Sequence, residues 1–166
     1  MSMIAPMVEE LSQEAIVTRK MLERLPEDQL GWKPHDKSMT LGELASHIAD
    51  NPGWAVPILQ QEELNIDMAS YVPPNFPTVA EILDTFDRQV AAAVAAMQEA
   101  EDASLLANWR LLVNGEPAFE LPRIGVIRGM VLNHGVHHRG QLSVYLRLLN
   151  VPLPSVYGPT ADEGSM

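Results

Sequence analysis

Four segments of the chain place apolar residues at spacings of three and four, the signature of helices with one buried face. In the first, residues 3 to 25, Met7, Leu11, Ala15, Thr18, Leu22 and Leu25 fall on one stripe. Pro26, Gly31 and Pro34 in "LPEDQLGWKPHDKS" end it, because no continuous helix accommodates all three. The second opens at Thr40, where Glu43 three residues later completes a capping box. It is expected to reach about Asn65, with Leu44, His47 or Ile48, Asn51, Trp54 and Ile58 inward and a kink at Pro52-Gly53. A loop of about a dozen residues, "IDMASYVPPNFP", follows. The third helix starts behind a Thr78 cap and continues through "FDRQVAAAVAAMQEA" to about Glu101. The fourth begins after Pro122 and runs to Leu149, stopped by Asn150 in a left-handed conformation and followed by a Pro-rich tail.

Residues 109 to 121 break the helical pattern. Two short apolar runs flank Asn114-Gly115, the strongest short hairpin signal. The expected fold is therefore all-α, a four-helix bundle of one domain over residues 1–166, with a small β-hairpin inserted near 109–121. The long loop between the second and third helices permits a crossover connection.

Composition narrows the function. Eleven basic against twenty-two acidic residues give a net charge of −11, a field that repels nucleic acid and anionic membranes. No stretch of 18 apolar residues could span a bilayer. The N-terminus lacks a basic region and turns acidic after seven residues, so it does not read as a signal peptide. The chain has no cysteine, hence no disulfide, thiolate ligand or cysteine nucleophile. A cytoplasmic protein acting on a small molecule fits these features.

Five histidines are present, and three crowd into "NHGVHHRGQ", residues 133 to 141. His134 and His138, four apart, lie on one helix face about 6 Å apart at Cβ. That face also carries Ile127, Val131, Leu142, Tyr145 and Leu149, so it is the one the helix must bury. Two unpaired imidazoles there would each cost about 1–3 kcal/mol. A divalent cation would satisfy both lone pairs, whereas hydrogen bonds to carbonyls or a carboxylate would make the pair purely structural. His137 is rotated roughly 100° from His138 and cannot share an ion with it on an unbroken helix. A third ligand must come from elsewhere. His47 faces the interior one turn after Leu44, while His35 sits in a loop between Lys33 and Lys37, so His47 is preferred.

"TLGELASHIADNPGW", a long gap and "NHGVHHRGQLSVYLRLLNVPLP" resemble the two signature blocks of the DinB/YfiT-like metalloenzyme superfamily, unrelated to the DNA polymerase called DinB. The similarity extends to "LPEDQLGWKP" and so covers most of the chain. It implies a four-helix bundle, often dimeric, with a divalent metal on His47, His134 and His138. Asn150, where the family often has glycine, is a small departure that leaves the metal site untouched. A three-histidine site with an open position suits zinc or nickel ahead of iron or manganese. Characterised relatives include thiol-dependent S-transferases and a thiol-dependent maleylpyruvate isomerase. The resemblance thus implies transfer of a low-molecular-weight thiol cosubstrate to an electrophile. A metal-dependent hydrolase and a non-catalytic, metal-stabilised stress or binding protein are the alternatives. No catalytic acid or base stands out. His137, Arg139 and Gln141 flank the ligands as residues that either support them or touch substrate, and Glu43 reads as a capping carboxylate. The Ala/Val face of the third helix and the Pro-rich tail carry more apolar surface than one core stripe needs, and the resemblance favours a homodimer.

Overall fold

A computed structural model describes residues 2–164; Met1 and the last two residues of the Pro-rich tail lie outside it. The chain is mostly helical with a small three-stranded sheet. The main helices are α1 (Ile4–Leu22), α2 (Leu41–Asp50), α3 (Ala55–Gln60) and α4 (Val79–Glu99). They are followed by a short α5 (Asp102–Leu106) and by α6 (Arg123–Val126), a π-helical segment (Ile127–Asn133) and α7 (His134–Leu148), which run on without a break. Helix α1 packs on α4 and α7, and α2 packs on the same two.

Local chemistry sets most of these limits. Thr40 Oγ1 accepts from Glu43 N–H while Glu43 Oε2 accepts from Thr40 N–H at 2.7 Å, closing the capping box of α2. Thr78 caps α4 by accepting from Glu81 N–H. Asn150 has φ 59° and ends α7, with Val151 N–H returned to Leu146 O. Pro52 turns the second helical stretch into a 3₁₀ segment, Asn51–Trp54, where a kink was expected.

The hairpin forms where Asn114-Gly115 places it. Both residues have positive φ, 53° and 82°, as a two-residue turn between twisted strands requires. Strands β2 (Asn108–Val113) and β3 (Glu116–Pro122) pair antiparallel, with an irregularity between Leu111 and Leu112. The structure corrects the second helix, which ends at Gln60 rather than near Asn65. Residues 63–66 instead form β1 (Glu63–Ile66), parallel to β2, so the hairpin is part of a sheet ordered β1-β2-β3. Buried Arg123 fixes this exit by donating to Ile58 O at 2.8 Å and Gln61 O at 3.0 Å, carbonyls at the α3 terminus.

Two apolar clusters fill the interior. One joins Met7, Leu11, Ile58, Met97, Trp109, Ile127 and Val131 near the sheet. The other joins Leu22, Leu41, Leu44, Ile48, Phe86, Leu142 and Leu146 at the opposite end. The final helix contributes to both, and His134 to His138 occupy the stretch between its two contributions. The tail folds back onto its own chain, packing Val151, Leu153 and Val156 against the second cluster. Among the described residues, no helix is long and apolar enough to cross a membrane.

Candidate metal centre

His47 comes from the last turn of α2, and His134 and His138 from successive turns of α7. The two helices pack directly on each other. The capping box at Thr40 fixes where α2 starts, and Leu44 and Ile48, buried on its inner face, carry His47 toward α7. The three rings converge. Their centroids are 5.0 Å apart for His47–His134, 4.5 Å for His47–His138 and 4.4 Å for His134–His138. One ring nitrogen from each lies within 4.8 Å of the other two. His138 is buried, and His47 and His134 are half-buried.

The electrostatics follow from crowding. Burial pushes the His134 pKa down to about 4, with added repulsion from His138, His47 and His137. Burial likewise lowers His47, against an opposing pull from Asp50. Burial lowers His138 as well, opposed by its hydrogen bond to Gln141 and assisted by His47 and His137. At neutral pH the cluster is therefore a set of uncharged imidazoles with lone pairs available.

Hydrogen bonding inside the cluster does not satisfy it. His47 Nε2 and His134 Nε2 are 2.7 Å apart, a contact that uses one proton between two nitrogens. Gln141 Oε1 lies 2.7 Å from His138 Nδ1 and accepts its proton, which leaves His138 Nε2 with a free lone pair. Nitrogens sharing one zinc ion at about 2.0–2.1 Å in tetrahedral geometry are separated by about 3.3 Å. Three neutral nitrogen donors within 4.8 Å of one another fit such an ion.

The flanking residues separate into different roles. His137 is exposed and only packs edge-on against His138, with centroids 4.9 Å apart. Gln141 orients His138. Arg139 is engaged elsewhere, bonded to Glu14 Oε2 at 2.6 Å, Thr18 Oγ1 at 3.1 Å and Tyr157 Oη at 2.6 Å. It ties α7 to α1 and the tail. Glu43 is committed to its cap. Asn51, one turn beyond His47, was read from sequence only as an inward position, yet its side chain reaches Met130 O on the final helix. Its place directly before a Pro-Gly kink was the available signal. His47 also lines an open cleft of about 540 Å³, together with Lys37, Met39, Glu43 and residues 72–75.

A mostly helical protein in which two packed helices bring three histidine nitrogens within 4.8 Å of one another defines a class of helical proteins with a cluster that could hold a metal ion. The chain matches the DinB family over residues 1–165, and it belongs to that family. It is 28% identical over 154 residues to the protein YrdA of Bacillus subtilis strain 168, covering 90% of this chain and 85% of that one. The solved structure of a DinB-like protein from Bacillus cereus ATCC 10987 is similar at a TM-score of 0.66 and 26% identity, over 88% of this chain and 92% of that one. A DinB-like protein of Bacillus subtilis, YjoA, shares the fold at a TM-score of 0.67 and 18% identity, over 89% and 94% of the two chains.

Proposed function

We propose that the protein is a divalent-metal-dependent enzyme, built on a four-helix bundle, that transfers a low-molecular-weight thiol to an electrophile. The observation that carries the metal reading is the convergence of three half-buried to buried neutral imidazoles, whose one mutual hydrogen bond, between His47 Nε2 and His134 Nε2, leaves His138 Nε2 with a free lone pair. His47, His134 and His138 would hold the ion, zinc or nickel ahead of iron or manganese, with Gln141 fixing the tautomer of His138. When bound, such an ion supplies Lewis acidity, which makes a thiol sulfur nucleophilic at neutral pH, where a free thiol of pKa near 8.5 is only a few per cent ionised.

The chain's own residues account for access and orientation. With no cysteine of its own, it does not supply a sulfur nucleophile, so the thiol arrives as cosubstrate. The cleft beside His47 has the size of a small-molecule site and is walled by Met39, Val72, Pro73 and Pro74, with Lys37 adding a cation. Thiol and electrophile would meet there, with water partly excluded by the apolar wall. We further place the active protein as a homodimer.

Cobalt substitution tests this reading. A cognate thiol should produce a sulfur-to-cobalt charge-transfer band in the wild type and none in His138→Ala, and conjugation should depend on the same residue. Metal-dependent hydrolysis of an ester or amide, with no spectral response to any thiol, would instead favour a hydrolase.

A further inference from the structure

His47 and His134 belong to different helices, and each stands next to a helical irregularity. On one side, α2 gives way at Asn51 to the 3₁₀ segment Asn51–Trp54, which contains Pro52. On the other, the π-helical segment Ile127–Asn133 runs up to His134 itself. In an α-helix the His134 N–H would donate to Met130 O, four residues back. Here it reaches Gly129 O, five residues back. Asn51 Nδ2 donates to Met130 O instead, at 2.6 Å. Asn51 also donates its backbone N–H to His47 O. One residue is thus bonded through its backbone to the first histidine and through its side chain to the carbonyl one turn before the second. The fit is close: a Cβ on Gly135 would lie 3.1 Å from Asn51 Oδ1, so glycine next to His134 leaves the amide its place.

We propose that Asn51 is the positioning residue of the histidine cluster, holding the π register of the last helix and with it the separation of His47 and His134. The inference rests on the metal reading above for its holo form, but the bridge itself exists without metal. A buried side chain only 5% exposed could be no more than a packing element, serving stability alone. The difference is that Asn51 captures a carbonyl that the π turn has released. Without that capture the helix has reason to return to α register, which rotates His134 relative to the residues before it by roughly 100° per residue of slip.

The test compares wild type with Asn51→Ala, Gly135→Ala and, as a buried control on α4, Thr85→Ala. Zinc affinity is read by chelator competition, and the cobalt ligand-field spectrum reports ligand geometry. Asn51→Ala should weaken zinc about 10–100-fold, the size of effect seen when groups supporting metal ligands are removed, and should shift the cobalt bands. Gly135→Ala, which presses on the amide without removing it, should act in the same direction by several-fold and covers the case in which Asn51→Ala does not fold. Thr85→Ala should lower thermal stability without moving affinity or spectrum. In metal-free protein, the imidazole proton shared by His47 and His134 should be visible by ¹⁵N-resolved NMR in wild type and Thr85→Ala and lost in Asn51→Ala. Wild-type zinc affinity with an unshifted cobalt spectrum in both Asn51→Ala and Gly135→Ala would overturn the proposal. If wild type takes up no divalent ion, the metal reading fails, and retention or loss of that shared proton decides the role of Asn51 alone.

Discussion

His134 shows how much of the site is set by single side chains and their immediate surroundings. Its pKa in the folded chain is about 4, below the ordinary 6.5, first because it is buried and next because three imidazoles crowd it. A depressed value means the unfolded chain takes up the proton first, so the contribution to stability is complete above about 6.5 and is lost as pH falls toward 4. Denaturant midpoints of metal-free protein should therefore fall between pH 7 and 4, and fall less in His134→Gln. Equal slopes for the two proteins would remove this account. The histidine pair was legible because four-residue spacing on a core stripe is a local property, and His47 because it shared the inward face of a capped helix. Arg139 was not legible. Its partners Glu14 and Thr18 are 125 and 121 residues away, so nothing nearby in sequence announces the ion pair. Arg139→Ala leaves Glu14 without its buried partner and should cost about 3 kcal/mol in chemical denaturation, while metal binding persists in the folded protein.

At the scale of elements, boundaries governed by local chemistry were readable and those governed by distant pairing were not. Thr40 with Glu43, Thr78, Asn114-Gly115 and Asn150 each satisfy backbone groups or supply a positive φ within a few residues. Strand β1 escaped because its four residues are too few for periodicity to outweigh the preceding helix, and its hydrogen-bond partners lie in β2, 47 residues on, as in Glu63 opposite Arg110. The π segment escaped because nothing within Ile127–Asn133 announces it, and the side chain that meets its Met130 carbonyl, Asn51, lies 79 residues earlier. The turn offers a clean measurement. Gly115 has φ 82° and open space around its missing Cβ, so Gly115→Val would suffer only from conformation. A loss of about 1–2 kcal/mol in thermal or denaturant unfolding is expected, and an unchanged midpoint would show that the turn geometry is wrong.

Across the whole molecule, two apolar clusters brace the continuous last helix, residues 123–148, at both ends, and the polar cluster sits where neither claims it. This division lets a site with three desolvated imidazoles persist in a chain of 166 residues without consuming either core. It also bears on assembly. Val151, Leu153 and Val156 of the tail are turned onto its own chain, which removes part of the surface first assigned to a partner copy. Val144 and Leu148, four apart on α7, remain 57% and 56% exposed. Light scattering at micromolar concentration should give twice the chain mass if the protein is the proposed homodimer, and a monomer mass would dispose of that assignment.

The central claim is that three particular histidines hold one divalent ion, and metal content of purified protein after loading with zinc and removal of free ion tests it most directly. Wild type should retain one ion per chain. His47→Ala, His134→Ala and His138→Ala should each lose most of it, and His137→Ala should keep most of it because its ring lies outside the converging set. Equal loss from all four substitutions, or full retention in any of the first three, would contradict the account.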